Sequence, residues 1–153
     1  MENRQLIEKF YKEAVKDIKE DWLLPSSSKW YEHILSLDEK SKITYLISIL
    51  DQQVFNGGFD QYFKNGYGQF AQQTIIALKK IQSNDIAELL NLAYEKINIE
   101  KWDDAIFRKT LLNGKIESLY EDESIIEYLN SLTDKYIELN INLEELLGTF
   151  LKS

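Results

Sequence analysis

The chain has 153 residues, no cysteine, a single proline and a formal charge of −8, with 44% hydrophobic and 29% charged side chains. Length and mixture fit one soluble globular domain, and they exclude a disordered chain, disulfides, thiol catalysis and thiolate metal sites. No run reaches the ~18 apolar residues of a membrane span, and Met1–Gln5 lacks the basic-then-apolar pattern of a secretory signal, so the cytoplasm is the expected compartment.

Scarce β-branched alternation predicts an all-α fold over 1–153, one compact domain of about seven to eight helices. The first helix is expected over 3–20, with Ile7, Phe10, Ala14 and Ile18 on one stripe. Trp22-Leu23-Leu24-Pro25 should end it, because the residue before proline is pushed out of the α region. Ser26, Ser27 and Ser28 offer N-caps for a short helix carrying Trp30, Ile34 and Leu37. Ser36 and Glu39 fit a capping box for a third helix over 39–55. There Ile43, Leu46, Ile47, Leu50 and Val54 recur at the spacing of one buried face.

Asn56-Gly57-Gly58 is expected to stop this helix in the left-handed conformation, followed by a helical turn from Phe59 to Phe63 and a break at Asn65-Gly66. The next helix is predicted over 69–82, with Phe70, Thr74, Ala77, Leu78 and Ile81 inward. Asp85 and Glu88 box the start of 85–98, whose stripe is Ile86, Leu89, Leu90, Ala93 and Ile97. A weaker helix over 101–112 ends at Asn113-Gly114. Two further helices complete the chain. One carries Ile125, Leu129, Leu132, Tyr136 and Leu139, the other Leu143, Leu146, Leu147 and Phe150.

Charge is unevenly placed along this series. Residues 1–112 hold 17 Asp and Glu against 15 Lys and Arg, whereas 113–153 hold 9 against 3. An acidic end of this kind repels nucleic acid and acidic membrane surfaces and attracts basic partners.

Catalytic chemistry finds little to work with. His33 is the only histidine, and neither a Gly-x-Ser-x-Gly turn nor a His-Glu-x-x-His or Glu-x-x-His pattern accompanies it. It is expected as a surface or helix-end residue. Gly57-Gly58 is followed by Phe-Asp instead of the Gly-Lys-Ser/Thr of a phosphate loop. Asp103-Asp104 and Glu144-Glu145 carry no sign of burial, and Glu121-Asp122-Glu123 lacks the turn glycine of a calcium loop. The reading is a non-enzyme with no catalytic residue, metal or cofactor.

The most distinctive segment is Asn56-Gly57-Gly58-Phe59-Asp60-Gln61-Tyr62-Phe63-Lys64-Asn65. Two glycines permit a sharp reversal, and Phe59, Tyr62 and Phe63, at i, i+3 and i+4, should plug the core. Asp60 stands where a carboxylate favours the start of a helix, and Asn56 and Asn65 are placed to bond nearby backbone. The segment closely resembles the signature of a bacterial family typified by a DNA-mimic protein, in which a helix ends in Asn-Gly-Gly-Phe, continues Asp-Gln-Tyr-Phe and closes with Asn. The following Ala77-Leu78 and the helix over 86–97 extend the similarity across about 40–100.

The resemblance implies an all-helical domain, with a homodimer as one assembly, whose surface carboxylates imitate DNA phosphates and sequester a DNA-binding protein. The family motif is structural, so the acidic residues must be argued from spacing. Carboxylates at i and i+4 on a helix stand about 6 Å apart along its axis. Glu117 and Glu121, Glu123 and Glu127, and Asp134 and Glu138 have that spacing, with Asp122 among them. No cation occurs between Lys115 and Lys135. These seven carboxylates form the expected binding surface for a basic protein. Neither direct nucleic-acid binding nor membrane association is expected. The alternative reading is an immunity or antitoxin-type protein that neutralises a toxin such as a basic nuclease.

Overall fold

The computed structural model describes residues 1–153, and every regular element in it is helical. Nine α-helices follow in order: α1 (Asn3–Val15), α2 (Lys29–Ser36), α3 (Glu39–Lys64), α4 (Ala71–Lys80), α5 (Asn84–Ile97), α6 (Asp104–Leu112), α7 (Ser118–Glu121), α8 (Glu123–Leu139) and α9 (Leu143–Lys152). Eight of them reach seven residues, and two 3-10 turns, Glu20–Leu23 and Tyr67–Phe70, fill connections. The all-α expectation holds. No helix is long and apolar enough to cross a membrane.

Several boundaries differ from the sequence reading, each for a local reason. α1 stops at Val15 instead of running to 20. The Ala14 carbonyl accepts a hydrogen bond from His33 Nε2 at 2.8 Å, while the Ile18 N–H turns back to Val15. His33, also tilted against Trp22, is thus a clasp between α2 and the end of α1. The cap of α3 is Asp38, whose carboxylate accepts from the Ser41 N–H at 3.1 Å, and not Ser36. Ser36 belongs to α2, and its hydroxyl donates to the His33 carbonyl.

α5 begins at Asn84 with Ser83 in the cap position, so Asp85 lies in the first turn without capping. The reason is the closure of α4, where Gln82 is left-handed (φ 70°) and the Ser83 N–H reaches the Leu78 carbonyl at 2.8 Å. α6 is shortened to start after Asp103, which accepts from the Ile106 N–H. The acidic end contains a third, four-residue helix, α7. Leu139, expected inward, is 39% exposed because α8 ends there on a left-handed Asn140.

α3 is the organising element. It packs against α1, α4 and α8, while α5 rests on both α4 and α8, and α1 on α9. The predicted stripe of Ile43, Leu46, Ile47, Leu50 and Val54 is buried along it, in one apolar cluster that extends from Ala14 to Leu151.

The largest correction concerns Asn56-Gly57-Gly58. The helix does end there, as the glycines predict, and meets a second helix across a kink instead of closing on a left-handed cap. The first helix passes through Asn56 and Gly57, and the kink falls at Gly58, whose φ of 89° and ψ of 178° lie outside the left-handed helical region. Helix then resumes through Lys64, and the left-handed stop falls at Gly66 (φ 86°, ψ −8°). Phe59, Tyr62 and Phe63 are at most 1% exposed, so the kink drives three aromatic rings into the core as the spacing predicts.

Candidate acidic interface

The kink fastens α3 to the acidic helix. An interrupted ladder leaves the Phe59 N–H without a carbonyl one turn back. It donates instead to Thr133 Oγ1 of α8 at 3.0 Å, and Thr133 in turn donates to the Leu129 carbonyl. Phe55 and Phe59 meet the Tyr136 ring edge-on at 5.7 and 5.9 Å. On the outer side of the kink, Gln53 Oε1 accepts from Gln61 Nε2 at 3.2 Å and from Asn65 Nδ2 at 2.8 Å. Asn65 thus bonds a side chain and not the expected backbone, while Asn56 is exposed. Asp60, in the turn after the kink, pairs with Lys64 at 3.6 Å.

A second brace is the Tyr136 hydroxyl, which donates to Asp51 Oδ1 at 2.6 Å. Burial raises the Asp51 carboxyl above its ordinary value, against a smaller downward pull from that hydroxyl. The native state therefore holds this proton more tightly than the unfolded chain. Its stabilising contribution is full below the ordinary Asp value of about 4 and is lost as pH rises through the raised one. Asp51→Asn keeps an acceptor for Tyr136 without a charge. We expect it to melt no lower than the parent at pH 7, with its advantage shrinking on acidification toward about 4. A constant deficit across that range would contradict this account.

The buried stripe of α8 fixes what faces out. Ile125, Leu129, Leu132 and Tyr136 are buried and span an arc of about 60°. Glu123, Glu127, Asp134 and Glu138 span an equal arc on the opposite side, about 22 Å from first to last. With Glu117, Glu121 and Asp122, all seven predicted residues are exposed. None of the seven takes part in any of the six ion pairs of the chain. Asp122 has a local role as well, because its carboxylate caps α8 by accepting from the Ser124 and Ile125 N–H groups. Hydrogen bonds from Ser124, then from Ile125, hold its carboxyl below the usual range, with a smaller contribution from Lys96.

The structure divides the seven into groups. Glu117, Glu121, Asp122 and Glu123 border an open groove of about 900 Å³, joined there by Glu100 from the α5–α6 connection. Glu138 lies on the α5 side of α8, beside a smaller hollow that it shares with Asp85, Glu88 and Lys135. Glu127 and Asp134 occupy the ridge between. The surface is not free of cations, as the sequence interval alone implied. Lys96 Nζ of α5 sits 5.1 Å over the Tyr128 ring, and Lys64 Nζ of α3 sits 5.5 Å over Tyr120. Both come from helices remote in sequence, and Glu100 from the α5–α6 connection, so no charge count along the C-terminal quarter could reveal them. No group of three or more His, Asp or Glu side chains is placed to hold a metal ion.

Among known proteins, the family described as DMP19-like protein matches residues 35–153, which include the kink, the groove and all seven carboxylates. No curated protein and no solved structure matches the chain.

Proposed function

The chain belongs to the DMP19-like protein family, the DNA-mimic family whose signature the 56–65 segment carries, and from that premise we propose that it is an acidic protein-binding module that sequesters a basic DNA-binding protein. The observation that supports this reading is the outward ridge of α8, diametrically opposed to the helix's buried stripe and without a single ion pair. Proteins that grip DNA are adapted to rows of phosphates, one per ~3.4 Å of axis on each strand. Over about 22 Å the ridge of α8 presents four carboxylates where a strand presents about six or seven phosphates. The mimic is therefore sparser than what it imitates, and the acids of the α7 groove extend it.

This sparseness sets the expected salt dependence. Association should weaken as salt rises, but less steeply than the same partner's binding to duplex DNA, because fewer condensed counterions are released. The test is capture from the host lysate at about 0.05 M salt and elution toward about 0.2 M, with duplex DNA as competitor. A basic DNA-binding protein that elutes with salt and is displaced by DNA supports the reading. Recovery of a toxin whose retention ignores DNA would replace it with the immunity-protein reading. Recovery of nothing dependent on salt would end both.

A further inference from the structure

The groove beside α7 carries more than charge. We propose that it seats an arginine-bearing segment of the basic partner, with Trp102 as the surface on which the guanidinium stacks. This rests on the acidic-interface reading above and gives the chemistry of the group that the interface selects.

Trp102 is half-buried in the connection between α5 and α6 and lines the groove together with Ile97, Ile99 and Ile116. Ile99 is 66% exposed, so the groove has an apolar side that water covers in the free chain. Around it stand the carboxylates of Glu100, Glu117, Glu121, Asp122 and Glu123, against the single ammonium of Lys115 among the lining residues. Lys96 adds a second positive charge near Asp122. A lone metal ion would leave the apolar side uncovered, and a purely apolar ligand would leave the carboxylates facing it. A cationic head on an aliphatic stem satisfies both.

The loop is already in shape for this. Asn98, 7% exposed, donates from Nδ2 to the Trp102 carbonyl at 2.9 Å and accepts from the Trp102 N–H at 3.1 Å. Lys101 completes the turn in the left-handed region (φ 55°). Trp102 is thus held by its backbone, and its indole, packed in part against the core, lines the groove with the remainder. A fixed aromatic face loses little freedom on binding.

Arginine suits the place better than lysine. Its guanidinium is planar, stacks on an indole, and forks to carboxylates with two parallel hydrogen bonds, whereas an ammonium is a compact, strongly hydrated charge. The ridge residues Glu127 and Asp134, away from the groove, attract either cation alike. Long-range attraction would then come from α8 and selection from Trp102.

The measurement is calorimetric titration of the whole chain with hexa-arginine and hexa-lysine peptides at about 0.15 M salt, where the Debye length is about 8 Å. We expect hexa-arginine to bind about 10-fold more tightly. Trp102→Leu keeps apolar bulk and removes the π face. It should bring the two peptides within about twofold of each other. Glu127→Gln combined with Asp134→Asn should weaken both peptides equally and preserve the preference. Equal affinities in the native chain, or a preference that survives Trp102→Leu, overturns the groove proposal while leaving the ridge reading intact. Conversely, a preference that persists beside a captured partner indifferent to salt would remove the function proposed above and keep the groove.

Discussion

Gly58→Ala is expected to lower the melting temperature by roughly 6–12 °C, the largest loss of stability of any methyl-sized change in the signature. Gly58 combines a φ of 89° with a ψ of 178°, a region that is essentially glycine-only and costs other residues about 1–3 kcal/mol. A Cβ there would also stand 3.0 Å from Thr133 Oγ1, the atom that receives the Phe59 N–H. Strain and the disturbed bond together come to about 3 kcal/mol, and in a chain of this size each kcal/mol moves the midpoint by about 2–4 °C. The neighbouring glycine is the control. Gly57 has helical backbone angles, and its added Cβ would meet the Gln61 amide, which is able to swing aside, and the Gln61 Cβ at 3.0 Å, which must give slightly. Gly57→Ala gains helix propensity and loses one amide contact, so a change under about 1 kcal/mol is expected. Similar melting curves for the two variants would refute the assignment of the kink to Gly58.

The second large effect concerns binding. Reversal of Glu127, Asp134 and Glu138 together to lysine is expected to weaken capture of the basic partner by roughly 100-fold, at about 1 kcal/mol for each exposed charge. The same variant should fold as well as the parent or better. The last turn of α8 contains no basic residue, although the negative end of a helix dipole favours cations by about 0.3–1 kcal/mol each. A lysine at position 138 would relieve that opposition. Structure alone thus gives no reason for acids at this end, and a variant that melts higher yet binds far more weakly separates the two roles. If affinity measured by titration stays within about threefold of the parent, the ridge is solvated surface and nothing more.

What the sequence revealed followed from periodicity. The stripes of α3, α5 and α8 were readable because burial imposes a 3.6-residue recurrence that no other physics imitates, and the buried rows at Ile43–Val54 and Ile125–Tyr136 lie as spaced. Helix starts were less readable, since Ser36, Asp38, Ser83 and Asp85 are all good caps and only the neighbouring turn decides which is used. Two glycines mark a helix end, and one is there, but they do not distinguish a left-handed cap from a kink into a second helix. The hydroxyl of Thr133, remote in sequence, receives the Phe59 N–H where helix resumes. The acidic residues were visible as composition, but their grouping was not. Glu100 and Lys96 approach them through packing of α5 against α8, which leaves no trace in the order of the residues.

The acidic ridge also constrains how copies of the chain meet one another. Two molecules approaching α8 to α8 would oppose Glu123, Glu127, Asp134 and Glu138 to their own duplicates, with Lys135 the one cation of α8 to offset them. Like charges so placed repel over about a Debye length. Self-encounter is thereby steered toward other faces of the molecule.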